Sequence, residues 1–214
     1  MKLFLSPNKY ILPVAGIFAL AICIALGRFI AGSGTTWTLL GAIFLGKTTA
    51  TLASNWTALN QLGASFRKFL SSGVIFSALS ALALTAAAVT AGQISWSRNP
   101  HYTFYDVLLI TTGPTPFTDT NGEPYLVEYA GQTPATIAAS IALTLLVFTT
   151  AGITGIMTGL SRNNGQSLTI FIGISLIILF LSDTVATTTV LTVASVILLA
   201  ISSWMISRTP RFTP

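Results

Sequence analysis

Charged side chains are scarce in this sequence, and their scarcity decides its class. Only 7% of the 214 residues are charged, whereas 52% are apolar. Five of the charged residues are acidic. A soluble domain has about 25% charged residues. This chain therefore cannot cover a globular surface with groups that water solvates, and its composition indicates an integral membrane protein in contact with the lipid bilayer.

Cysteine and histidine each occur once. The single Cys23 excludes an intramolecular disulfide, and the single His101 excludes a bis-His haem or zinc site. We expect no catalytic residue, no metal site and no cofactor bound by this chain.

Six apolar runs are candidates for spanning helices, since a helix needs about 20 residues to cross the hydrocarbon core. They cover approximately residues 11–31, 36–54, 69–92, 134–160, 168–181 and 185–206. The last two runs are so close that they could be two spans, a tight hairpin or a re-entrant pair. The predicted fold is an all-α membrane protein with six transmembrane helices and a small insertion between the third and fourth.

The loop cations indicate an orientation, because basic residues in short loops stay on the cytoplasmic side. With the N-terminus inside, only the loop cation Arg98 falls outside. The predicted cytoplasmic cations are Lys2, Lys9, Arg67, Lys68, Arg162, Arg208 and Arg211. Both termini are thus predicted to be cytoplasmic, and the net charge of +5 requires no nucleic-acid partner.

The stretch GAIFLGKTT at residues 41–49 matches the phosphate-binding pattern G-x-x-x-x-G-K-[ST]. That pattern binds phosphate where a strand leads through a tight turn into a helix. Here the motif lies within a hydrophobic run from Trp37 to Leu52, so we predict a helix and no nucleotide site. LIILFLSD, residues 176–183, resembles a magnesium-binding strand but is equally suited to a spanning helix.

Small residues and isolated charges are the remaining candidates within the spans. We interpret Gly41, Gly46, Gly155 and Gly159 as contacts between helices, because glycine lets two backbones approach closely. Lys47 either lines a water-filled cavity or extends its ammonium group to the membrane surface.

Two further charges lie near predicted helix ends. Arg28 and Asp183 could pair, or each could be solvated at the interface, and we favour the solvated state. Together with Lys47 they are the candidates for a cavity or substrate pathway.

An amphipathic helix is predicted for residues 54–69, between the second and third spans. Apolar side chains recur there at spacings of three and four, at Trp56, Leu59, Leu62, Phe66 and Leu70. The helix either anchors the protein at the lipid surface or docks a cytoplasmic partner.

The interval of about residues 93–133 is long for a connection without structure. Asn121-Gly122 is typical of a hairpin turn, with FTDT before it and PYLVEY after it. We expect a small hairpin, preceded by a membrane-surface segment at residues 105–110. It either gates an outer exit or receives a partner, or it only packs over the bundle.

The segment NWTALNQLGASFRKFLSSGVIFSALSALAL resembles permease subunits of bacterial ATP-binding-cassette exporters of the six-helix class. That family reads roughly A-L-x-x-G-x-S-R-R-x-F. The matching residues here are Ala58, Leu59, Gly63, Ser65, Arg67, Lys68 and Phe69. The basic pair is displaced by one position, and the resemblance covers about 40 residues.

The resemblance implies a bacterial plasma-membrane protein that dimerises with an identical or different permease copy. A separate cytoplasmic ATPase subunit would bind ATP and Mg²⁺ and drive export of an amphiphilic or hydrophobic substrate. The docking residues would be Trp56, Leu59, Leu62, Phe66, Arg67 and Lys68. The alternative hypothesis is a membrane scaffold or regulatory subunit without an energy source.

Overall fold

The computed structural model describes residues 2–5, 11–31, 33–160, 189, 192–198 and 200–201. Its helices are α1 (Lys2–Leu5), α2 (Ile11–Ala31), α3 (Gly34–Ala53), α4 (Trp56–Gln61), α5 (Phe66–Arg98) and α6 (Pro134–Leu160). A 3-10 helix covers Pro100–Tyr105, and strands β1 and β2 cover Thr115–Thr118 and Pro124–Val127. Residues 192–198 are also helical. The protein is therefore mostly helical, with little sheet.

Three helices, α2, α5 and α6, are long and apolar enough to cross a membrane. They occupy the ranges of the first, third and fourth predicted spans, and they suggest a membrane protein. The fifth predicted span, 168–181, lies outside the described residues, as does most of the sixth, 185–206.

Helix α3 occupies the range of the second predicted span but is not among the helices apolar enough to cross a membrane. Its 20 residues include six threonines and Lys47. The helix is continuous through residues 41–49, which confirms the predicted helix there and leaves no turn to cradle a phosphate. Eleven of its residues are buried, and it packs mainly against α6. Of its polar side chains, Thr35, Thr38 and Thr49 are buried, whereas Lys47 is exposed.

Glycines let α3 and α6 approach each other. A methyl group built on Gly155 would overlap the Gly46 carbonyl oxygen and the Thr49 hydroxyl, and one on Gly159 would overlap the Ala50 carbonyl oxygen. Gly41 of α3 faces α2 instead, where a methyl would lie 2.5 Å from Ile24 Cδ1. The two backbones of α3 and α6 are therefore in direct contact, a geometry that small residues permit.

The predicted hairpin is confirmed. Strands β1 and β2 are antiparallel, with Phe117 opposite Tyr125 and Thr118 opposite Pro124. Asp119 holds the turn, because its Oδ1 accepts hydrogen bonds from the backbone N–H groups of Asn121 at 2.8 Å and Glu123 at 2.9 Å. Gly122 has a φ of 85°, which glycine adopts without steric cost.

The segments around the hairpin are fastened to the helices. The Trp96 indole N–H donates to the Ala130 carbonyl at 2.8 Å, and the Ile110 N–H donates to the Ser140 hydroxyl at 2.8 Å. Leu108 and Leu109 are buried, so this part of the segment predicted to lie on a membrane surface packs against the protein, whereas Tyr105 is 65% exposed. We call this side of the molecule the hairpin end, and the opposite side, where α4 lies, the α4 end.

The contact between α3 and α6 predicts a strong effect at Gly155. Gly155→Ala should destabilise the protein by about 1–3 kcal/mol, because backbone atoms of α3 would have to move. The measurement is the thermal unfolding midpoint in detergent.

The matched control is Gly16→Ala in α2, where a methyl group meets nothing within 4 Å. That change should leave stability unchanged or raise it by up to about 1 kcal/mol, since alanine is the better helix former. Equal midpoints for the two variants would contradict the close approach of α3 and α6.

Candidate functional site

A buried ion pair lies at the hairpin end. Arg28, in the last turn of α2, donates from its Nη1 to Asp106 Oδ2 at 2.6 Å. The Arg28 side chain is 2% exposed and the Asp106 side chain is 0% exposed. Because Asp106 follows the 3-10 helix, this pair joins α2 to the chain that leaves α5.

Both charged groups have further partners. Arg28 Nη2 donates to the Thr38 hydroxyl of α3 at 2.6 Å, and Asp106 Oδ1 accepts from the Leu108 N–H at 3.2 Å. The Val107 N–H donates to the Thr35 hydroxyl of α3 at 2.9 Å. Hydrogen bonds to the remaining donors and acceptors are what make a buried pair tolerable. The cluster therefore links α2, α3 and the connection after α5.

Two glycines and a tyrosine surround the pair. A side chain at Gly34 would overlap the Asp106 carboxylate and the Tyr102 hydroxyl, and one at Gly92 would lie 2.6 Å from Arg28 Nη1. Burial raises the pKa of the Tyr102 hydroxyl, and the neighbouring Asp106 carboxylate raises it further. The Tyr102 phenol is thus neutral at physiological pH and adds no second negative charge beside Asp106.

Arg28 does not occupy the solvated position that we favoured from the sequence. It is buried because Asp106 neutralises its charge, and it also lines a cavity at the hairpin end. The possible partner Asp183 lies outside the described residues. Asp106 was missed as a site residue, although its position in the run Tyr105-Asp106-Val107-Leu108-Leu109-Ile110 is a signal for a buried carboxylate.

Lys47 lies on the outside of the described helices. It is exposed and lines a groove of about 460 Å³ with Leu12 and Pro13 of α2 and Phe44 and Thr51 of α3. It does not point into the interior between α3 and α6. The sequence left two alternatives, a lysine that lines a water-filled cavity and a lysine that extends along an apolar surface. The exposed position of Lys47 agrees better with the second.

The predicted continuous helix over residues 54–69 is wrong. Helix α4 ends at Gln61, and α5 begins at Phe66. Gly63 has a φ of 79°, its N–H donates to the Asn60 carbonyl at 2.9 Å, and the Ala64 N–H donates to the Leu59 carbonyl at 3.0 Å. These two hydrogen bonds with a left-handed glycine form a Schellman motif, which terminates the helix. The spacing of apolar residues continues across this break, and for that reason it misled the prediction.

The predicted docking residues differ in their exposure to solvent. Leu59 is 7% exposed and belongs to the core, whereas Leu62 is 83% exposed. Trp56 and Phe66 are half-buried. Arg67 and Lys68 are exposed in the first turn of α5. Within the described chain, Leu62 is the one apolar residue predicted to dock a partner whose side chain is mostly exposed.

A cluster of aromatic rings supports the α4 end. The Trp56 ring contacts Phe66 at 5.2 Å and Phe69 at 5.1 Å between centroids. Phe69 also contacts Phe4 of α1 at 5.2 Å, and Phe4 and Phe69 are fully buried. We call Phe4, Trp56, Phe66 and Phe69 the aromatic cluster. It fixes α1 and α4 against the start of α5.

The fold and the buried cluster define a mostly helical protein with three helices able to cross a membrane. The described part of the chain contains no group of three or more His, Cys, Asp or Glu side chains placed to hold a metal ion. No family model, no curated protein and no solved structure matches the chain.

The ion pair predicts a large loss of stability when Asp106 is removed. Asp106→Ala should cost about 3–5 kcal/mol, because the Arg28 guanidinium would stay buried without its counter-charge. Unfolding in detergent, followed by loss of helical circular dichroism, measures the effect.

Glu128→Ala is the control, because Glu128 is an exposed carboxylate of the same end. It should change stability by no more than about 0.5 kcal/mol. A similar small change in Asp106→Ala would show that the pair does not hold the hairpin end in place.

Proposed function

We propose that this chain is the membrane-spanning permease subunit of an ATP-driven transporter that exports an amphiphilic or hydrophobic substrate. In this proposal the α4 end faces the cytoplasm and meets a separate ATPase subunit, which binds ATP and Mg²⁺. The observation that carries the proposal is Leu62, a large apolar side chain that is 83% exposed between two long helices.

The setting of Leu62 suits it to transmit force. The residue caps α4 immediately before the Schellman turn, whose two backbone hydrogen bonds define its position. Behind it, the aromatic cluster ties α4 to the first turns of α5, a helix of 33 residues. A force applied to Leu62 would therefore reach α5 directly, without first deforming a flexible loop.

Charge supports the same assignment. Arg67 and Lys68 are exposed beside the turn, and among the described residues neither has a carboxylate within ion-pairing distance. They are available for carboxylates of an ATPase or for lipid phosphates, and such complementary charges speed association and select the partner. The proposed docking surface is Leu62, Arg67 and Lys68, with Trp56 and Phe66 at its edge and Leu59 supporting it from within.

The proposal includes a second permease copy, identical or different, in a bacterial plasma membrane. Helix α2 offers a broad apolar surface for that copy or for lipid. Its most exposed large side chains are Ile11, Leu12, Phe18 and Ile30.

A second candidate function is a membrane scaffold or regulatory subunit without an energy source. It is favoured by the exposed aromatic side chains of the hairpin end, Phe104, Tyr105, Tyr125 and Tyr129. Exposed aromatic residues are typical of contact surfaces. A neighbouring gene for a soluble nucleotide-binding ATPase would favour the permease, and its absence would favour the scaffold.

The permease proposal predicts that Leu62→Asp weakens binding of the ATPase encoded beside this gene. The two proteins are co-expressed, and the complex is titrated in detergent. A charge placed at the centre of an apolar contact should cost about 2 kcal/mol or more, which is at least tenfold in affinity. ATP hydrolysis by the complex should lose its dependence on the permease.

Leu126→Asp is the matched control, since Leu126 is 61% exposed at the opposite end. Both variants should keep the wild-type unfolding midpoint, because neither leucine is part of the core. Unchanged ATPase affinity in Leu62→Asp, or an equal loss in Leu126→Asp, would refute the docking assignment.

A further inference from the structure

A cavity of about 290 Å³ lies at the hairpin end, between the last turns of α2 and α5. Three aromatic residues and several polar ones form its walls. They include Phe29, Tyr102, Tyr105, Arg28, Ser95 and Arg98. Because the cavity is at the ends of two apolar helices, it lies at the depth where a membrane's polar headgroups would meet them.

The cavity carries one unmatched positive charge. Asp106 neutralises Arg28, but Arg98 has no carboxylate within ion-pairing distance among the described residues. The Arg98 guanidinium carbon lies 5.4 Å from the centre of the Phe29 ring, in a cation–π contact that holds the charge at the cavity. An anionic group is therefore the ligand that this charge favours.

Two polar atoms of residues in the cavity wall also lack partners. Arg28 Nε and Ser95 Oγ are buried and make no hydrogen bond within the described part of the chain, whereas the Tyr102 hydroxyl interacts with the Asp106 carboxylate. Buried polar groups are nearly always paired, so each such group needs an explanation. Both can donate a hydrogen bond, and phosphate oxygens accept from donors of these kinds.

An apolar groove of about 240 Å³ continues along the same two helices. It is lined by Val14, Ile17 and Ala21 of α2 and by Phe76, Leu79 and Ala83 of α5. Val14, Ala21 and Arg28 recur every two helical turns, which places the groove and the cavity on one side of α2. At 1.5 Å per residue the groove lies about 10 to 21 Å from Arg28 along the helix.

The hydrocarbon of one leaflet is about 15 Å thick, so the groove lies at the depth that the far end of an acyl chain would reach from a headgroup beside Arg28. We propose that α2 and α5 bind one anionic phospholipid, with its phosphate in the cavity beside Arg98 and an acyl chain in the apolar groove. The site would hold this lipid whether or not the chain is a permease, because none of its residues belongs to the proposed ATPase surface.

The first test compares two lipids on the purified, delipidated full-length protein in detergent. Native mass spectrometry titrates dioleoyl phosphatidylglycerol, which is anionic, against dioleoyl phosphatidylcholine, which has no net charge. Arg98→Gln should weaken phosphatidylglycerol binding about fivefold, the effect of one basic side chain near an anionic headgroup. Arg98→Lys is the matched control, because it keeps a positive charge at the cavity and should leave this binding within a factor of about two.

The second test blocks the groove. Ala83→Phe would fill it, whereas Ala78→Phe adds the same ring at an exposed position on the opposite side of α5. Phosphatidylglycerol should bind more weakly to Ala83→Phe than to Ala78→Phe, and both variants should unfold at the wild-type temperature. Inorganic phosphate alone should not raise that temperature.

Three results would overturn the proposal. They are equal affinity for the two lipids, an Arg98→Gln loss no larger than that of Arg98→Lys, and unchanged binding in Ala83→Phe. Stabilisation by inorganic phosphate equal to that by phosphatidylglycerol would assign the cavity to a free anion and would also overturn the lipid assignment.

Discussion

The ion pair between Arg28 and Asp106 connects two parts of the molecule that are far apart in the sequence, at the hairpin end. Its two side chains are 78 positions apart, and both are excluded from solvent. Through Thr38 and Thr35 the same cluster reaches α3, and through Val107 and Leu108 it holds the start of the connection to the hairpin. Because a lone buried charge is costly, each member of the pair requires the other to be in place.

Patterns within a single segment of the sequence predicted the helices and strands that depend on that segment alone. Long apolar runs indicated α2, α5 and α6, and Asn121-Gly122 indicated the hairpin. The break at Gly63 was missed, because apolar spacing alone does not report a residue with positive φ. The partner of Arg28 was missed for a different reason. Arg28 and Asp106 are 78 positions apart, and their pairing depends on how three helices pack. The spacing of apolar residues within one segment gives no information on that packing.

The two ends of the molecule serve different chemistry in this account. At the α4 end the Schellman turn defines the position of the exposed Leu62, and the aromatic cluster fixes α4 against α5. At the hairpin end Arg98 and the apolar groove between α2 and α5 form the proposed lipid site. Helix α5 runs between them and contacts α2, α3 and α6. If an ATPase docks at Leu62 as proposed, α5 is the element that connects the docking surface to the buried ion pair.

The central claim is that Arg28 and Asp106 stabilise the fold as a pair, and a double-mutant cycle measures this directly. Arg28→Met, Asp106→Leu and the double variant are unfolded in detergent beside the wild type. We predict that each single variant loses about 3–5 kcal/mol and that the double variant is no less stable than either, because it buries no unmatched charge. Losses that add to within about 0.5 kcal/mol would contradict the account, since additivity is the behaviour of side chains that do not interact.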